Sequence, residues 1–281
     1  MTSPSPTVRR RELGARLRAL RVERGLTVED VAERMEVSPA KISRIETAAR
    51  GVSLADVRFL CDLYQVSTAE CETLILLTRE SKRRSWWQEY GLPDSVATYV
   101  GLEDSATSIH QYHTSLVPGL LQTQSYATAV TSGILPDAPA ETVNQIAQAR
   151  ILRQGRLAEA NPLELWAVLD EAALCREVGS AEIMREQMEE LIARSRRPNV
   201  TVQVIPLSAG AHPGMDSSFE ILHLEEVSDV VHVEGLVGTF FLQNARDLSR
   251  YRRAFDQLRA IALSPRDTRG LVDDLIAQPS T

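Results

Sequence analysis

The chain has 281 residues, 43 % of them hydrophobic and 25 % charged, which is enough apolar material for packed cores and excludes disorder as a description of the whole. Its net charge of −7 is unevenly placed: residues 1–84 carry 16 Lys and Arg against 12 Asp and Glu, and residues 85–281 carry 15 against 26. A basic front on an acidic body argues for nucleic-acid contact at one end and against general coating of DNA.

No apolar run approaches the roughly 20 residues a membrane helix needs. Met1 to Arg11 has no apolar stretch behind its arginines, so no signal peptide is read and a cytoplasmic protein without membrane contact is expected. The three cysteines, Cys61, Cys71 and Cys175, show no CxxC spacing, so neither a disulfide framework nor a cysteine zinc site is expected. No cofactor is implied.

In chain order, Arg9-Arg10-Arg11 precedes the first helix and reads either as an arm toward DNA or as a solvated tail. Leu13, Leu17 and Leu20 share one helical face, ended by Gly25. Thr27 caps a second helix, with Asp30 in a weaker capping box. Ser38 caps a third, with Pro39 at its first position and Ile42 and Ile45 facing inward. Ser53 and Ser67 open a fourth and a fifth helix. Only Glu36–Val37 separates Met35 from Ser38, and so short a connection forces two helices to cross steeply, as in a helix-turn-helix.

Beyond Glu80 the chain turns charged, then presents Trp86-Trp87, read as a packing seam, and a turn at Gly91–Asp94. Next come expected helices over 124–132 and 140–160, the latter with Val143, Ile146, Ala147 and Ile151 inside. A strand is expected over 163–169 and a helix over 181–194, with Ile183, Met184, Met188, Leu191 and Ile192 buried. Strands follow over 199–206, 218–224 and 229–234, then a helix over 245–263 with Leu248, Tyr251, Phe255, Leu258 and Ile261 inside, and a last helix over 267–277. The expected organisation is an all-α five-helix helix-turn-helix domain at 1–80, a junction helix or linker at 81–95, and an α/β or α+β domain at 96–281.

Leu26 to Glu46, LTVEDVAERMEVSPAKISRIE, resembles the Xre/Cro-type helix-turn-helix family, and the five-helix pattern around it fits that domain. Two positions depart from the pattern: Glu36 stands where the turn usually carries Gly, and Val28 stands where a phosphate-binding Gln is common. The resemblance places Pro39, Ala40, Ser43 and Arg44 toward bases, with Ser38 and Lys41 nearer the backbone. Arg44 is the main candidate for base readout, since Arg pairs bidentately with guanine; its competing reading is a solvated charge or a salt bridge to Glu46 or Glu33. Arg50 and Ser53 are placed to hold a phosphate, and the missing Gln contact is either lost or replaced by the Thr27 side chain or a helix N-terminal amide.

Residues 86–275 resemble the C-terminal domain of Xre-type regulators from high-GC Gram-positive bacteria. The matching stretches include VPGLLQT (117–123), RxxRQxRL (150–157), VLDEAAL (168–174), NVTVQVIPLSAGAH (199–212), SFEIL (218–222) and VVHVE (230–234). The resemblance implies a homodimeric transcriptional regulator on double-stranded DNA. It also implies a toxin–antitoxin-like gene pair that affects development, with a small protein partner encoded next door.

No enzyme is expected. His212, Asp216, Ser217 and Ser218 share one loop, whereas a triad draws its members from separate elements. His110 and His113 would share a helix face but lack further ligands, so no metal is expected. His223 and His232 are read as hydrogen-bonded strand residues, and Asp170-Glu171 as a helix cap. A small-molecule pocket would draw on Gln122, Thr123, Arg150, Arg153, Gln154 and His212. An antitoxin-like interaction protein that binds its neighbour and regulates its own gene is the alternative.

Overall fold

A computed structural model describes residues 4–235 and 238–277; the ends of the two expected domains, 1–3 and 278–281, and residues 236–237 lie outside the described residues. The chain divides into two compact units, Met1–Gln88 and Glu89–Thr281.

The first unit is five helices: α1 (Pro6–Glu23), α2 (Val28–Arg34), α3 (Pro39–Glu46), α4 (Leu54–Leu63) and α5 (Thr68–Glu80). Each begins at a Ser or Thr whose hydroxyl accepts a backbone N–H of the first turn: Ser5, Thr27, Ser38, Ser53 and Ser67. Each such cap is worth about 1 kcal/mol. The Thr27 box is complete rather than weak, with Asp30 N–H donating to Thr27 Oγ1 at 3.0 Å and Thr27 N–H to Asp30 Oδ2 at 2.8 Å. The helices close on Leu13, Leu17, Val31, Ile42, Ile45 and Leu74, all fully buried. Each full burial contributes about 1.5–3 kcal/mol. Glu36 does take the left-handed conformation, φ 54°, that the α2–α3 turn demands.

Arg9, Arg10 and Arg11 are neither arm nor tail. They lie inside α1, which starts at Pro6 because Ser5 caps it and proline tolerates the first turn. Arg9 is bound to Glu12 and Glu80, both at 2.8 Å.

The second unit is α+β. A 3-10 turn at Trp86–Tyr90 precedes it, where the two Trp rings meet edge to face with centroids 5.7 Å apart. Then follow α6 (Asp94–Ser105), β1 (Ser108–His113), α7 (Gln124–Ile134), α8 (Ala140–Arg153), β2 (Glu164–Asp170), α9 (Ala172–Cys175), α10 (Ala181–Arg194) and β3 (Val200–Ile205). The unit ends with β4 (Phe219–His223), β5 (Val230–Gly235), β6 (Gly238–Leu242), α11 (Ala245–Ile261) and α12 (Pro265–Ala277). One mixed sheet has the order β3-β2-β1-β4-β5-β6. β1, β2 and β3 run parallel and are joined through helices, while β4, β5 and β6 extend the sheet antiparallel.

Strand alternation sorts the side chains onto two faces. Tyr112, Phe219, Ile221 and Val231 pack with Leu248, Phe255 and Leu258 of α11. Gln111, Glu220 and His232 stand opposite one another in register and so project from the other face.

Three further expectations differ from the structure. His110 and His113 lie on β1, not on a helix, and three residues apart on a strand they face opposite ways. The helix expected over 140–160 stops at Arg153 and tightens into a 3-10 turn, Gln154–Leu157, because Gln154 turns inward to bond the Gly119 and Gln122 carbonyls at 3.0 and 2.7 Å. Ile261, expected inside, is 42 % exposed at the end of α11.

Candidate functional site

The outward surface of α3 is built by contrast with its inward one. Ile42 and Ile45 are 2 % and 3 % exposed, whereas Ser38, Pro39, Ala40, Ser43 and Arg44 are all exposed. Arg44 donates from Nε to its own helix, to Ala40 O at 3.2 Å, and among the described residues no carboxylate lies within ion-pair distance of it. Glu46 is taken by Arg21 instead: Nε to Oε1 at 2.6 Å and Nη2 to Oε2 at 2.9 Å. Arg21 also donates to Leu26 O at 2.7 Å, so one guanidinium joins α1, the α1–α2 turn and the end of α3. The Glu46 carboxylate raises the Arg21 pKa above its usual value and outweighs the burial that lowers it.

The other candidates of this face are partly occupied. Lys41 Nζ lies 3.3 Å from Asp56 Oδ2. Ser38 Oγ and Ser53 Oγ accept the N–H of Lys41 and Asp56, at 3.3 and 3.0 Å. Thr27 Oγ1 serves its cap as acceptor, so its hydroxyl proton is what it offers a phosphate. Arg50 is exposed, and its backbone N–H donates to Arg44 O at 2.9 Å, which fixes the loop at the end of α3. The arrangement presents a short helix with a guanidinium in its last turn that has no ion-pair partner among the described residues. Lys41 of the same helix and Arg50 of the loop after it are further cations. An α-helix of this kind can enter a major groove.

The second unit contains a cavity of about 690 Å³ between the sheet face carrying Glu220 and His232 and helices α6, α7 and α8. Its floor is charged. Arg153 meets Glu103 through two hydrogen bonds, Nε to Oε1 and Nη2 to Oε2, both 2.6 Å. Tyr99 OH donates to the same carboxylate at 3.0 Å, and its ring lies 5.0 Å from the Arg153 guanidinium carbon. Burial alone would lower the Arg153 pKa, yet Glu103 holds it above the ordinary arginine range. Glu220 accepts from or shares a proton with His232 Nδ1 at 3.0 Å. Burial would raise Glu220, but His113 and His232 hold its pKa well below the carboxylate range. His113 Nε2 is 3.3 Å from Glu220 Oε1 but off the line a hydrogen bond needs, and it has no other partner among the described residues.

Of the six polar residues expected to converge, Gln122, Arg150 and Arg153 line this cavity. Thr123, Gln154 and His212 do not. Thr123 N–H donates to Gln187 Oε1 at 2.8 Å, and Thr123 Oγ1 caps α7, accepting from Tyr126 N at 3.2 Å. Gln154 spends both ends of its amide, the oxygen on Arg194 Nη2 at 2.7 Å. His212 sits elsewhere, 3.3 Å from Asp170 Oδ2 and edge-on to Tyr112. Asp170 also caps α9, as expected, through Ala172 N–H at 2.9 Å.

Glu103, Tyr99, His113, Glu220 and His232 were not among the pocket residues expected from sequence, although His232 is the hydrogen-bonded strand residue expected there. The available signal was a charged or imidazole residue between apolar neighbours in two strands, Phe219-Glu220-Ile221 and Val231-His232-Val233. Alternation puts such residues on the far face; only the covering helices bury them.

Among the described residues no group of His, Cys, Asp and Glu could hold a metal, and no helix is long and apolar enough to cross a membrane.

Comparison with known proteins agrees with this division. A family model described as a helix-turn-helix domain matches residues 12–74. A second, described as a domain of unknown function (DUF5753), matches residues 96–274. No curated protein and no solved structure matches the chain. A helix-turn-helix domain points to DNA binding and transcription regulation.

Proposed function

The chain belongs to the DUF5753 family and carries a helix-turn-helix domain ahead of that domain, and we propose that it is a sequence-specific transcriptional regulator of the Xre type. The observation that carries the reading is Arg44: an exposed guanidinium on the outward face of α3, with its rival partner Glu46 already bound to Arg21. Ala40, Ser43 and Arg44 meet base edges, and Lys41, Arg50, Ser38, Ser53 and Thr27 meet phosphates. Lys41 must leave Asp56 to do so.

One α3 reads only a few base pairs, so the working unit is a homodimer with two α3 helices about one helical turn apart, ~34–36 Å. The second unit dimerises and receives the signal. The cavity favours a small molecule as that signal. The antitoxin-like alternative, a small basic protein bound to the acidic second unit, is supported by the charge imbalance and by exposed Leu207, Met215 and Phe240.

We read the second unit as non-catalytic. His212 pairs with Asp170, not Asp216, and Ser218 Oγ lies 3.2 Å from Thr114 Oγ1 rather than on an imidazole. That geometry supplies no activated hydroxyl.

Footprinting on the chain's own promoter, with solution mass measured in parallel, tests the reading. Two protected half-sites and a dimer mass are expected; absence of protection at any concentration that saturates a control regulator overturns it.

A further inference from the structure

Arg150 projects from α8 into the cavity. Its Nη1 donates to Gln122 Oε1 at 3.3 Å, and among the described residues no carboxylate lies within ion-pair distance of it. Its neighbours make the omission costly. Arg153, one helical turn position away, has Glu103, and Glu220 has His232. Arg153 is thus matched by Glu103, whereas among the described residues Arg150 has only a neutral hydrogen-bond partner. Burial and the nearby charge of Arg153 pull its pKa down to about 10, with Glu234 offsetting this from a distance. It still carries its charge at neutral pH. A half-buried cation without an adjacent counter-charge is unfavourable.

The walls are of the opposite character. Val96, Leu116, Val130, Ile134 and Ile146 surround the space between the floor and the exterior. The volume of about 690 Å³ falls within the range of roughly 300–1,000 Å³ typical of small-molecule sites. His113 also lines this space, with its Nε2 3.3 Å from Glu220 Oε1.

We propose that the cavity binds a small monocarboxylate with an apolar body, its carboxylate on Arg150 and its body against the α6–α7–α8 wall. This deepens the signal-receiving role given to the second unit and rests on that reading. The guanidinium fork matches a carboxylate in shape, and most of its N–H donors remain uncommitted. A guanidinium with no ion-pair partner among the described residues suits a singly charged anion. A phosphate dianion would carry a second charge, and Arg153 is already committed to Glu103. The apolar walls exclude a wholly polar acid, which would lose its hydration without replacement.

Decanoate is a suitable probe, titrated calorimetrically into the full chain alongside 1-decanol and decylammonium. Saturable binding of one decanoate per chain is expected, with both other head groups at least about tenfold weaker. Arg150→Met should weaken decanoate by about tenfold or more while leaving decanol nearly unchanged. Ile146→Trp, which fills the cavity and leaves every charge in place, should weaken all three; it decides the matter with the wild-type head-group order if Arg150→Met does not fold. Equal affinity for the three head groups, decanoate binding indifferent to Arg150→Met, or no saturable binding would each overturn the proposal. Promoter affinity measured on the same preparations separates the two readings. Intact promoter binding without decanoate binding removes the cavity site alone. Decanoate binding that leaves promoter affinity unchanged upholds the site and removes its role as the signal input.

Discussion

Arg21 grips Glu46 with two parallel hydrogen bonds of 2.6 and 2.9 Å, and this pair leaves Arg44, on the outward face of α3, bonded only to its own helix. The two side chains are only 11 % and 6 % exposed, so neither can recover full hydration if the other is lost. Glu46→Ala would strand the guanidinium and should destabilise the first unit by about 3–5 kcal/mol. Denaturant unfolding checks the value. The doubly apolar Arg21→Met/Glu46→Leu variant should be markedly more stable than either single change.

Gly14 of α1 faces the end of the recognition helix, and a Cβ there would lie 2.7 Å from Ile45 O and 2.8 Å from Glu46 O. Both are backbone atoms and cannot swing aside. Gly14→Ala gains about 1 kcal/mol of helix propensity but should lose about 1–3 kcal/mol to overpacking. A lower melting temperature together with weakened promoter binding is the expected result, because the shift falls on α3 itself.

Glu36 sits at φ 54° in the α2–α3 turn and is exposed. Glycine has no Cβ penalty there. Glu36→Gly should raise stability by about 0.5–1 kcal/mol, the relief of left-handed strain less the entropy glycine adds to the unfolded chain. Thermal unfolding of the two proteins side by side measures it.

His110 is stacked on Phe255, with ring centroids 4.9 Å apart, and lies beside His223 and Arg259. Burial first, then those two neighbours, bring its pKa down to about 4 from 6.5, against a weaker opposing pull from Asp256 and Asp229. The neutral ring is thus the form the fold favours. Stability is intact above pH 6.5 and falls as pH drops toward 4, because the unfolded state takes up the proton first. The loss should be on the order of 2–3 kcal/mol. His110→Leu should flatten this part of the stability–pH curve. Below about pH 4.5 a further loss from Glu220, whose pKa is depressed, should persist in that variant.

The first unit was readable because its signals are local. Thr27, Ser38, Ser53 and Ser67 cap where short polar residues precede apolar periodicity, and Glu36 bends where only two residues are left to turn. The α10 helix, Ala181–Arg194, was legible to the residue for the same reason. The strands that failed are those whose two faces do different work. β1, SIHQYH, buries His110 against α11 and turns His113 toward the cavity, so no polar face marks it as a strand. β6 and α6 carry too little periodicity to stand out, and α6 begins at Asp94, the last residue of an expected turn. The residues proposed to face DNA could be named from a motif. The cavity could not, since Glu103, Tyr99, Arg153 and Glu220 meet only after α6, α8 and β4 are brought together.

Base readout by α3 through Arg44 can be measured by fluorescence anisotropy on the chain's own promoter fragment and on random DNA, with wild type and Arg44→Ala at two salt concentrations. Wild-type binding should weaken steeply with salt. Arg44→Ala should lose about 1–3 kcal/mol on the promoter and discriminate less against random DNA. Equal promoter affinity and equal selectivity of the two proteins would show that α3 does not read bases through Arg44.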